Sequence, residues 1–505
     1  MAFAISRKHT QSLPQSTLPG CLSCPINNLP VEMLEMMFIW WTEVDEDAPW
    51  IGSSVCQYWR TIILTCPLAW SRIHVKFRPP PLEMEKDEAW CIEEGELENF
   101  GRDNPRGKPR PFLLWIERAG TTDLTLSVTI TLDAPSLCIV LVELTSALAD
   151  KMARVRRFEL YSDTSYLAFE VMSRLWHTAP SLRYLTVVCS EMYWLRDMHD
   201  NFAMWDVLKH APLLETLDCR GCYPIARNNN YTPHVRRLII ANISAPLRGI
   251  IAILRTCGSL EFLQLSSLYG DTLENIDPVD LPRLEVICME RTTMECCERF
   301  FPCIVTSNLR QLSLRCDKLW PLFSEEYRMV LHGVKSYDAF ANFGNVFVAF
   351  AARSPRLESL YLSSVMLPDR YILSALRHLP DLVELHLNNL LVGVPAFRGL
   401  IPMSGSPSPR RLYIGIPVCP RLARLTLSNC DLLPGDALVE FIRARAESDL
   451  TTSVKYLDVD ECERIEEEHV SLLRDIAGLE IRFVPCEREN VTSDDDDDSE
   501  VYDSE

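Results

Sequence analysis

One leucine pattern recurs along most of the chain and constrains its fold more than any other feature. Clear copies of L-x-x-L-x-L begin at Leu309, Leu357 and Leu382, in NLRQLSL, RLESLYL and DLVELHL. The final L-x-L of each copy alternates apolar and outward positions, which predicts a short strand with one buried face. Helical patterns such as YLAFEVMSRLWHTAP lie between the copies. A unit of one helix and one strand cannot bury its apolar face alone, so we expect neighbouring units to stack.

Ten copies of the pattern are found, and their spacing is irregular. Four of the steps are 24 or 25 residues long, from Val235 through Leu260 and Leu284 to Leu309 and from Leu357 to Leu382. The step of 48 residues from Leu309 to Leu357 is interpreted as two units, one of which has lost the pattern. The longer steps, of 32 and 40 residues, predict insertions between the units. The copies begin at Leu182, Leu214, Val235, Leu260, Leu284, Leu309, Leu357, Leu382, Leu422 and Val454.

The period near 25 and the L-x-x-L-x-L spacing resemble those of leucine-rich repeats. This resemblance implies an α/β solenoid, a horseshoe whose strands line the concave face, and we assign residues 111–485 to it. Cys222, Cys430 and Cys462 follow a predicted strand at the position where such repeats carry Asn or Cys. A small side chain at this position can satisfy backbone groups of the loop, so several cysteines are expected to be structural.

A doubly wound α/β enzyme is the alternative fold, because it also alternates helix and strand. Such enzymes have near-continuous Val/Ile strands and a glycine-rich first turn, whereas this chain has only 18 Gly in 505 residues. The sequence contains no G-x-S-x-G and no H-E-x-x-H motif. We therefore favour the repeat fold and expect no catalytic site.

The cysteine content and the net charge indicate the cellular compartment of the chain and exclude some classes of ligand. The 19 cysteines are too few for a disulfide scaffold and no export signal is recognised, which predicts reduced thiols in the cytoplasm or the nucleus. Cys21-x-x-Cys24 and Cys219-x-x-Cys222 have zinc-like inner spacing but lie far apart, so neither a metal nor a cofactor is predicted. The net charge of −20 argues against nucleic-acid binding. No apolar run is long enough for a membrane span.

Residues 26–75 form a block rich in Trp, Met and Ile. One helical stripe carries Leu34, Met37, Phe38 and Trp41, and a second helix carries Val55, Trp59, Ile62 and Ile63 at helical spacing. A block of this size cannot bury a large core, so its apolar residues suit one half of an interface, with a plain helical subdomain as the alternative. The other segments are interpreted as a loose leader (1–25), a linker rich in Pro and charge (76–110) and a disordered acidic tail (486–505).

This block resembles the F-box, over about 48 residues. Its sequence is similar to those of divergent F-box-like proteins of fungal genomes. These proteins share the later segment seen here as PFLLWIERAGTTDLTLSVTI. The segment TEVDEDAPW and the wider spacing of the final leucine and tryptophan depart from the motif. The matching residues are Leu29, Pro30, Glu32, Leu34, Val55, Cys56, Trp59, Arg60, Leu68 and Trp70.

The F-box resemblance implies a non-catalytic substrate-recognition subunit of a Skp–cullin–F-box ubiquitin ligase. Its partners would be a Skp-type adaptor, through it a cullin, and an unknown protein substrate held by the repeats. The alternative is a repeat scaffold that uses the F-box-like unit for non-degradative assembly. The predicted adaptor-facing residues are Leu29, Pro30, Leu34, Val55 and Trp59. The predicted substrate-facing residues are Tyr184, Gln264, Gln311, Tyr361, His386 and Arg424.

Overall fold

The computed structural model describes twelve segments of the chain: residues 25–77, 112–131, 145, 148–149, 151–175, 179–191, 211–222, 234–242, 245–269, 277–316, 341–402 and 417–486. Most of the predicted leader and linker, nearly all of the acidic tail, and the pair Cys21 and Cys24 lie outside these segments. The described helices are α1 (Val31–Val44), α2 (Ala48–Val55), α3 (Gln57–Leu64), α4 (Phe112–Arg118), α5 (Ser165–Leu175), α6 (Leu247–Leu254), α7 (Met294–Phe300), α8 (Ala341–Arg353), α9 (Asp369–Leu376), α10 (Val394–Leu400), α11 (Gly435–Ala446) and α12 (Glu467–Arg474).

One long parallel sheet organises the described strands. Fourteen of them pair in an order that follows the chain, so each unit adds its strand to the edge left by the previous unit. They are β1 (Arg72–Phe77), β2 (Leu124–Ile130), β3 (Val155–Thr164), β4 (Tyr184–Glu191), β5 (Thr216–Arg220), β6 (Arg237–Ala241), β8 (Phe262–Ser266), β11 (Val286–Thr292), β13 (Gln311–Cys316), β14 (Ser359–Ser363), β15 (Glu384–Asn388), β16 (Arg424–Ser428), β17 (Tyr456–Asp460) and β18 (Glu480–Val484). Two short pairs, β7 (Ala245–Pro246) with β9 (Leu268–Tyr269) and β10 (Val279–Asp280) with β12 (Ile304–Val305), lie beside it. This growth by addition is the arrangement of a repeat solenoid.

The leucine pattern supplies the core, as the sequence predicts. All the anchor side chains of the ten copies are at most 4% exposed. The register aligns them in rows, for example Leu312 opposite Leu360 and Leu360 opposite Leu385. On the other side of this core, helices α8 to α12 pack against one another in chain order. Buried apolar side chains of each unit therefore face those of the next, which is the physical reason that the units stack.

The step of 48 residues between Leu309 and Leu357 is a single unit, so the prediction of a blurred additional repeat is wrong. Strand β13 pairs directly with β14, with Leu314 opposite Leu362. Since β14 occupies the hydrogen-bonding edge of β13, no further strand can lie between them. The extra length belongs to the connection, of which residues 317–340 lie outside the described segments.

A left-handed residue directly after the strand recurs from unit to unit. Asn389 has a φ of 53° and donates its N–H to the carbonyl of Ser428 at 2.8 Å, and Asn429 has a φ of 52° and donates to Asp460 at 2.9 Å. This residue turns the chain out of the sheet while its amide remains bonded to the next unit. Residues with the same left-handed backbone at this position are Gly221, Asn242, Ser267, Ser364, Asn389, Asn429 and Glu461.

Buried thiols follow this turn, and they confirm the predicted structural role of the cysteines. Cys222 donates to the carbonyl of Val187 at 3.6 Å and Cys430 donates to that of Leu387 at 3.5 Å. Cys462 makes the equivalent bond to Leu427 at 3.7 Å. Each thiol thus reaches a strand carbonyl of an earlier unit. The described cysteines are free thiols.

We expect Gly221→Ala to destabilise the chain by about 2 kcal/mol or more, because it combines two costs. The residue has a φ of 69°, and a Cβ there would overlap the carbonyl oxygen of Cys189. Gly478→Ala is the matched control, since Gly478 has a φ of 80° but open space around it. Urea unfolding should therefore show a larger loss for Gly221→Ala. Equal losses would contradict the predicted overlap.

The helical unit and the sheet share one continuous core at the N-terminal end of the described chain. Strand β1 follows the short turn Pro67–Trp70 and pairs with β2, so the predicted boundary between residues 75 and 76 falls inside a strand of the sheet. Trp70 is fully buried and meets Trp50 at 5.0 Å and Trp115 of α4 at 6.4 Å between ring centroids. These rings attach the helices to the beginning of the sheet.

Candidate functional site

Helix α1 carries an exposed apolar stripe, here called the α1 face. Met36 is 61% exposed, Trp40 68% and Val44 72%. The spacing of three to four residues places them together on one side of the helix. Leu34 and Phe38, on the opposite side, are buried in the core. The α1 face consists of Met33, Met36, Met37, Trp40 and Val44.

The core behind α1 holds this face in position. Phe38 packs edge to face against Trp59 of α3, with ring centroids 5.1 Å apart. Ile63 of α3 is fully buried, and its carbonyl accepts the indole N–H of Trp70 at 2.8 Å. Because α1 is anchored through one side only, its other apolar side faces solvent on a rigid support. Such a surface is typical of a protein-binding site.

The structure separates the five residues that the sequence assigns to the adaptor. Pro30 and Val55 are exposed, while Leu29 and Trp59 are half-buried and pack against the core. Leu34 is 0% exposed, so the prediction that it faces an adaptor is wrong. Its side chain fills the core because it lies on the inner stripe of α1 with Phe38.

Sequence reasoning missed the α1 face, and its assignment of Met37 to the stripe of Leu34 and Phe38 is wrong, because Met37 is exposed. The residues at positions 33, 36, 37, 40 and 44 repeat with the same helical period as the inner stripe, but on the opposite side. The available signal was therefore a helix that is apolar on both sides, in a block too small to bury both. Deciding which stripe was inner required the positions of α3 and of the turn at Pro67–Trp70.

The outward positions of the parallel strands form a second candidate surface, here called the sheet face. The six predicted substrate-facing residues lie on it in two adjacent rows. Tyr184, Gln311 and Arg424 occupy the first outward row. Gln264, Tyr361 and His386 occupy the next. They extend over many strands rather than converging, and the residues that contact a ligand remain a prediction.

Two of these residues do meet. The rings of Tyr361 and His386 have centroids 6.0 Å apart, and the Asn388 amide lies 3.5 Å from the Tyr361 hydroxyl. Burial lowers the pKa of His386, although Glu384 and Asp458 oppose this shift. A neutral imidazole beside a phenol offers hydrogen-bonding groups to a ligand, and it carries no net charge at neutral pH.

Ion pairs between neighbouring units neutralise much of the sheet face. Examples are Arg310 with Glu358 at 3.5 Å and Arg424 with Glu384 at 3.3 Å. These pairs are largely exposed, and each contributes roughly 0–1 kcal/mol to stability. Their effect is to present mixed charge, which suits a protein ligand better than a long polyanion.

An apolar area interrupts the polar rows. Ile239, Phe262, Val286 and Cys288 project from β6, β8 and β11 at outward positions. The guanidinium carbon of Arg237 lies 4.0 Å from the centroid of the Phe262 ring. Burial raises the pKa of the Cys288 thiol, which keeps it uncharged. These apolar residues lie at positions where the repeat pattern tolerates any residue type, so no sequence signal distinguishes them.

The described segments show neither a metal site nor a membrane-spanning helix. They contain no group of three or more His, Cys, Asp or Glu side chains arranged to hold a metal ion. Nor does any helix described by the structure have the length and apolar character needed to cross a membrane.

The chain shows little similarity to known proteins in sequence or in structure. No protein-family model matches the chain. No curated protein matches it either. Among solved structures, the complex of Rad7 and Elc1 from yeast matches with 16% identity and a TM-score of 0.34, covering 73% of this chain and 70% of that one. A Bacteroides fragilis protein matches with 10% identity and a TM-score of 0.26, covering 70% of this chain and 64% of that one.

Proposed function

We propose that this chain is a non-catalytic substrate-recognition subunit of a Skp–cullin–F-box ubiquitin ligase. The helical unit would dock a Skp-type adaptor, and the sheet face would bind a protein substrate. The single observation that carries this proposal is the α1 face, an exposed row of Met, Trp and Val side chains on a helix whose other side is buried.

The composition of the α1 face supports a protein partner. Trp and Met are enriched in the centres of protein interfaces, and a few such side chains commonly supply most of the binding energy. Val55 and Leu68, elsewhere in the helical unit, are also exposed. The F-box motif residues thus lie in the same unit as the apolar surface that an adaptor would cover.

The sheet face supports the second half of the proposal. Its polar rows are interrupted by the apolar area around Phe262, so it combines an apolar centre with a charged surround. This combination is typical of a surface that binds a folded or extended protein. Such a receptor would act in the cytoplasm, the nucleus or both, and the bond chemistry would be carried out by other subunits.

Affinity purification from cells tests the ligase assignment. We expect the tagged full-length chain to co-purify with a Skp-type adaptor and a cullin, and at least one bound protein to accumulate when the chain is deleted. An adaptor without cullin, and no accumulating protein, would favour a scaffold for non-degradative assembly. The absence of any Skp-type adaptor would contradict the proposal.

A further inference from the structure

A cluster of basic side chains, only some of which form ion pairs, lies where several strands enter the sheet. It is here called the arginine patch and consists of Arg156, His234, Arg236, Arg237 and Arg283. These five side chains are exposed. The cluster is unexpected in a chain whose net charge is −20.

Part of the patch lines a groove with a volume of about 170 Å³. Arg236 and Arg283 border it together with His234, and Arg183 and Glu215 complete one wall. Backbone bonds hold neighbouring units side by side at this level, since Arg236 donates its N–H to Glu215 at 2.8 Å and Glu215 donates to Arg183 at 2.8 Å. The groove is therefore built on the strand ends and has a fixed width.

The acids beside the groove are Glu215, Glu261 and Glu285, and they do not form ion pairs with every arginine of the patch. Glu215 is paired with Arg183 at 2.6 Å, and Glu261 approaches Arg236 only to 3.7 Å, with both side chains largely exposed. Among the residues that the structure describes, no carboxylate forms an ion pair with Arg156, Arg237 or Arg283. These three guanidinium groups keep their charge available to a ligand.

Stacking on Phe262 holds the Arg237 guanidinium in a position from which it can bind an anionic group. Its guanidinium carbon lies 4.0 Å from the ring centroid, so the cation is supported by the aromatic face. A stacked guanidinium loses little further freedom when it binds, and its edge can donate two parallel N–H bonds to a carboxylate or a phosphate. An anionic group bound here would lie beside the apolar area formed by Phe262, Val286 and Cys288.

We infer that the arginine patch binds an anionic peptide segment of the protein ligand. The inference rests on the proposed function, because it names the chemistry of a substrate on the sheet face. Carboxylate and phosphate groups share the recognised feature, which is a planar or tetrahedral set of anionic oxygens. The overall negative charge of the chain disfavours a long nucleic acid, whereas a short acidic segment meets the patch alone.

Fluorescence anisotropy with the purified full-length chain tests the inference. The probes are a labelled glutamate-rich peptide, a phosphoserine peptide, their neutral Gln/Ser counterpart and a single-stranded oligonucleotide. We expect one or both anionic peptides to bind at least about tenfold more tightly than the neutral one, and to weaken as NaCl is raised from 50 to 200 mM. The better of the two peptides distinguishes carboxylate from phosphate recognition.

The triple substitution Arg236→Gln, Arg237→Gln and Arg283→Gln should lower the affinity for that peptide at least about tenfold. This corresponds to a loss of about 1.4 kcal/mol of binding free energy. Arg315→Gln is the control, because Arg315 is exposed on the same sheet face, outside the patch. Equal loss in both variants, equal binding of the neutral peptide, or tighter binding of the oligonucleotide would each overturn the inference.

Adaptor pulldown with the same preparations separates this result from the proposed function. The triple variant should retain adaptor binding, since its substitutions lie outside the helical unit. Peptide binding without any adaptor binding would leave the inference standing and refute the ligase assignment. Adaptor binding without peptide selectivity would leave the ligase assignment standing and refute the inference about the arginine patch.

Discussion

Replacing Met36 and Trp40 by alanine is expected to weaken adaptor binding by at least about a hundredfold. Each side chain is more than half exposed on the α1 face, so the double substitution removes contact area without opening the core. Large interface side chains contribute about 2 kcal/mol or more each when truncated, and 1.4 kcal/mol corresponds to a factor of ten. Calorimetric titration of the purified chain with a Skp-type adaptor measures the change.

A matched pair of exposed leucines provides the control. Leu450 and Leu472 are exposed in the last units of the sheet, and their substitution by alanine should leave adaptor affinity unchanged. Leu34→Ala should instead lower the stability of the chain, because the loss of a buried leucine from a core costs about 2–5 kcal/mol. If Met36→Ala with Trp40→Ala binds the adaptor as tightly as the unchanged chain, the α1 face is not the docking surface.

Arg445→Met is expected to destabilise the last units by about 1.5–3 kcal/mol. The Arg445 side chain on α11 is 0% exposed. One of its terminal nitrogens donates to the carbonyls of Cys419 at 3.0 Å and Thr452 at 3.2 Å. Methionine would fill a similar volume but remove this donor. The Cys419 carbonyl would keep only its bond from the N–H of Leu422, and the Thr452 carbonyl would lose its bond to Arg445.

The charge of Arg445 is balanced by dipoles rather than by an acid. Among the described residues no carboxylate forms an ion pair with it, and desolvation by burial lowers its pKa to about 10. It therefore still carries a proton at neutral pH. Its guanidinium joins the turn before β16 to the segment before β17, by further bonds to Pro420 at 3.3 Å and Leu422 at 3.4 Å.

Urea unfolding of the full-length chain measures this loss. Arg443→Met is the control, because Arg443 lies on the same helix with its side chain exposed, and should change stability by less than about 0.5 kcal/mol. The loss of stability for Arg445→Lys should lie between those for Arg445→Met and Arg443→Met, since an ammonium group keeps the charge but cannot span the same set of carbonyls. A loss within about 1 kcal/mol for Arg445→Met would show that the buried bonds do not stabilise these units.

Much of the sheet could be predicted because its signal is local. The alternation at Leu357, Leu360 and Leu362 depends only on strand geometry, and the same alternation recurs in nine other copies. The thiol bonds of Cys430 and Cys462 also follow from their position after the strand. The pairing of β13 with β14 could not be predicted, because a long connection and a lost repeat give the same spacing in the sequence.

The candidate surfaces were less predictable, since they depend on which apolar residues remain uncovered. By itself, the sequence determined the stacked units and the buried rows, because burying one face of each short strand needs only the residue pattern within that unit. The tertiary structure alone decided that Leu34 lies inside while Met36 and Trp40 lie outside, and that the arginines before β6 and β11 border one groove. Those outcomes depend on contacts between residues distant in the chain, and no local pattern encodes such contacts.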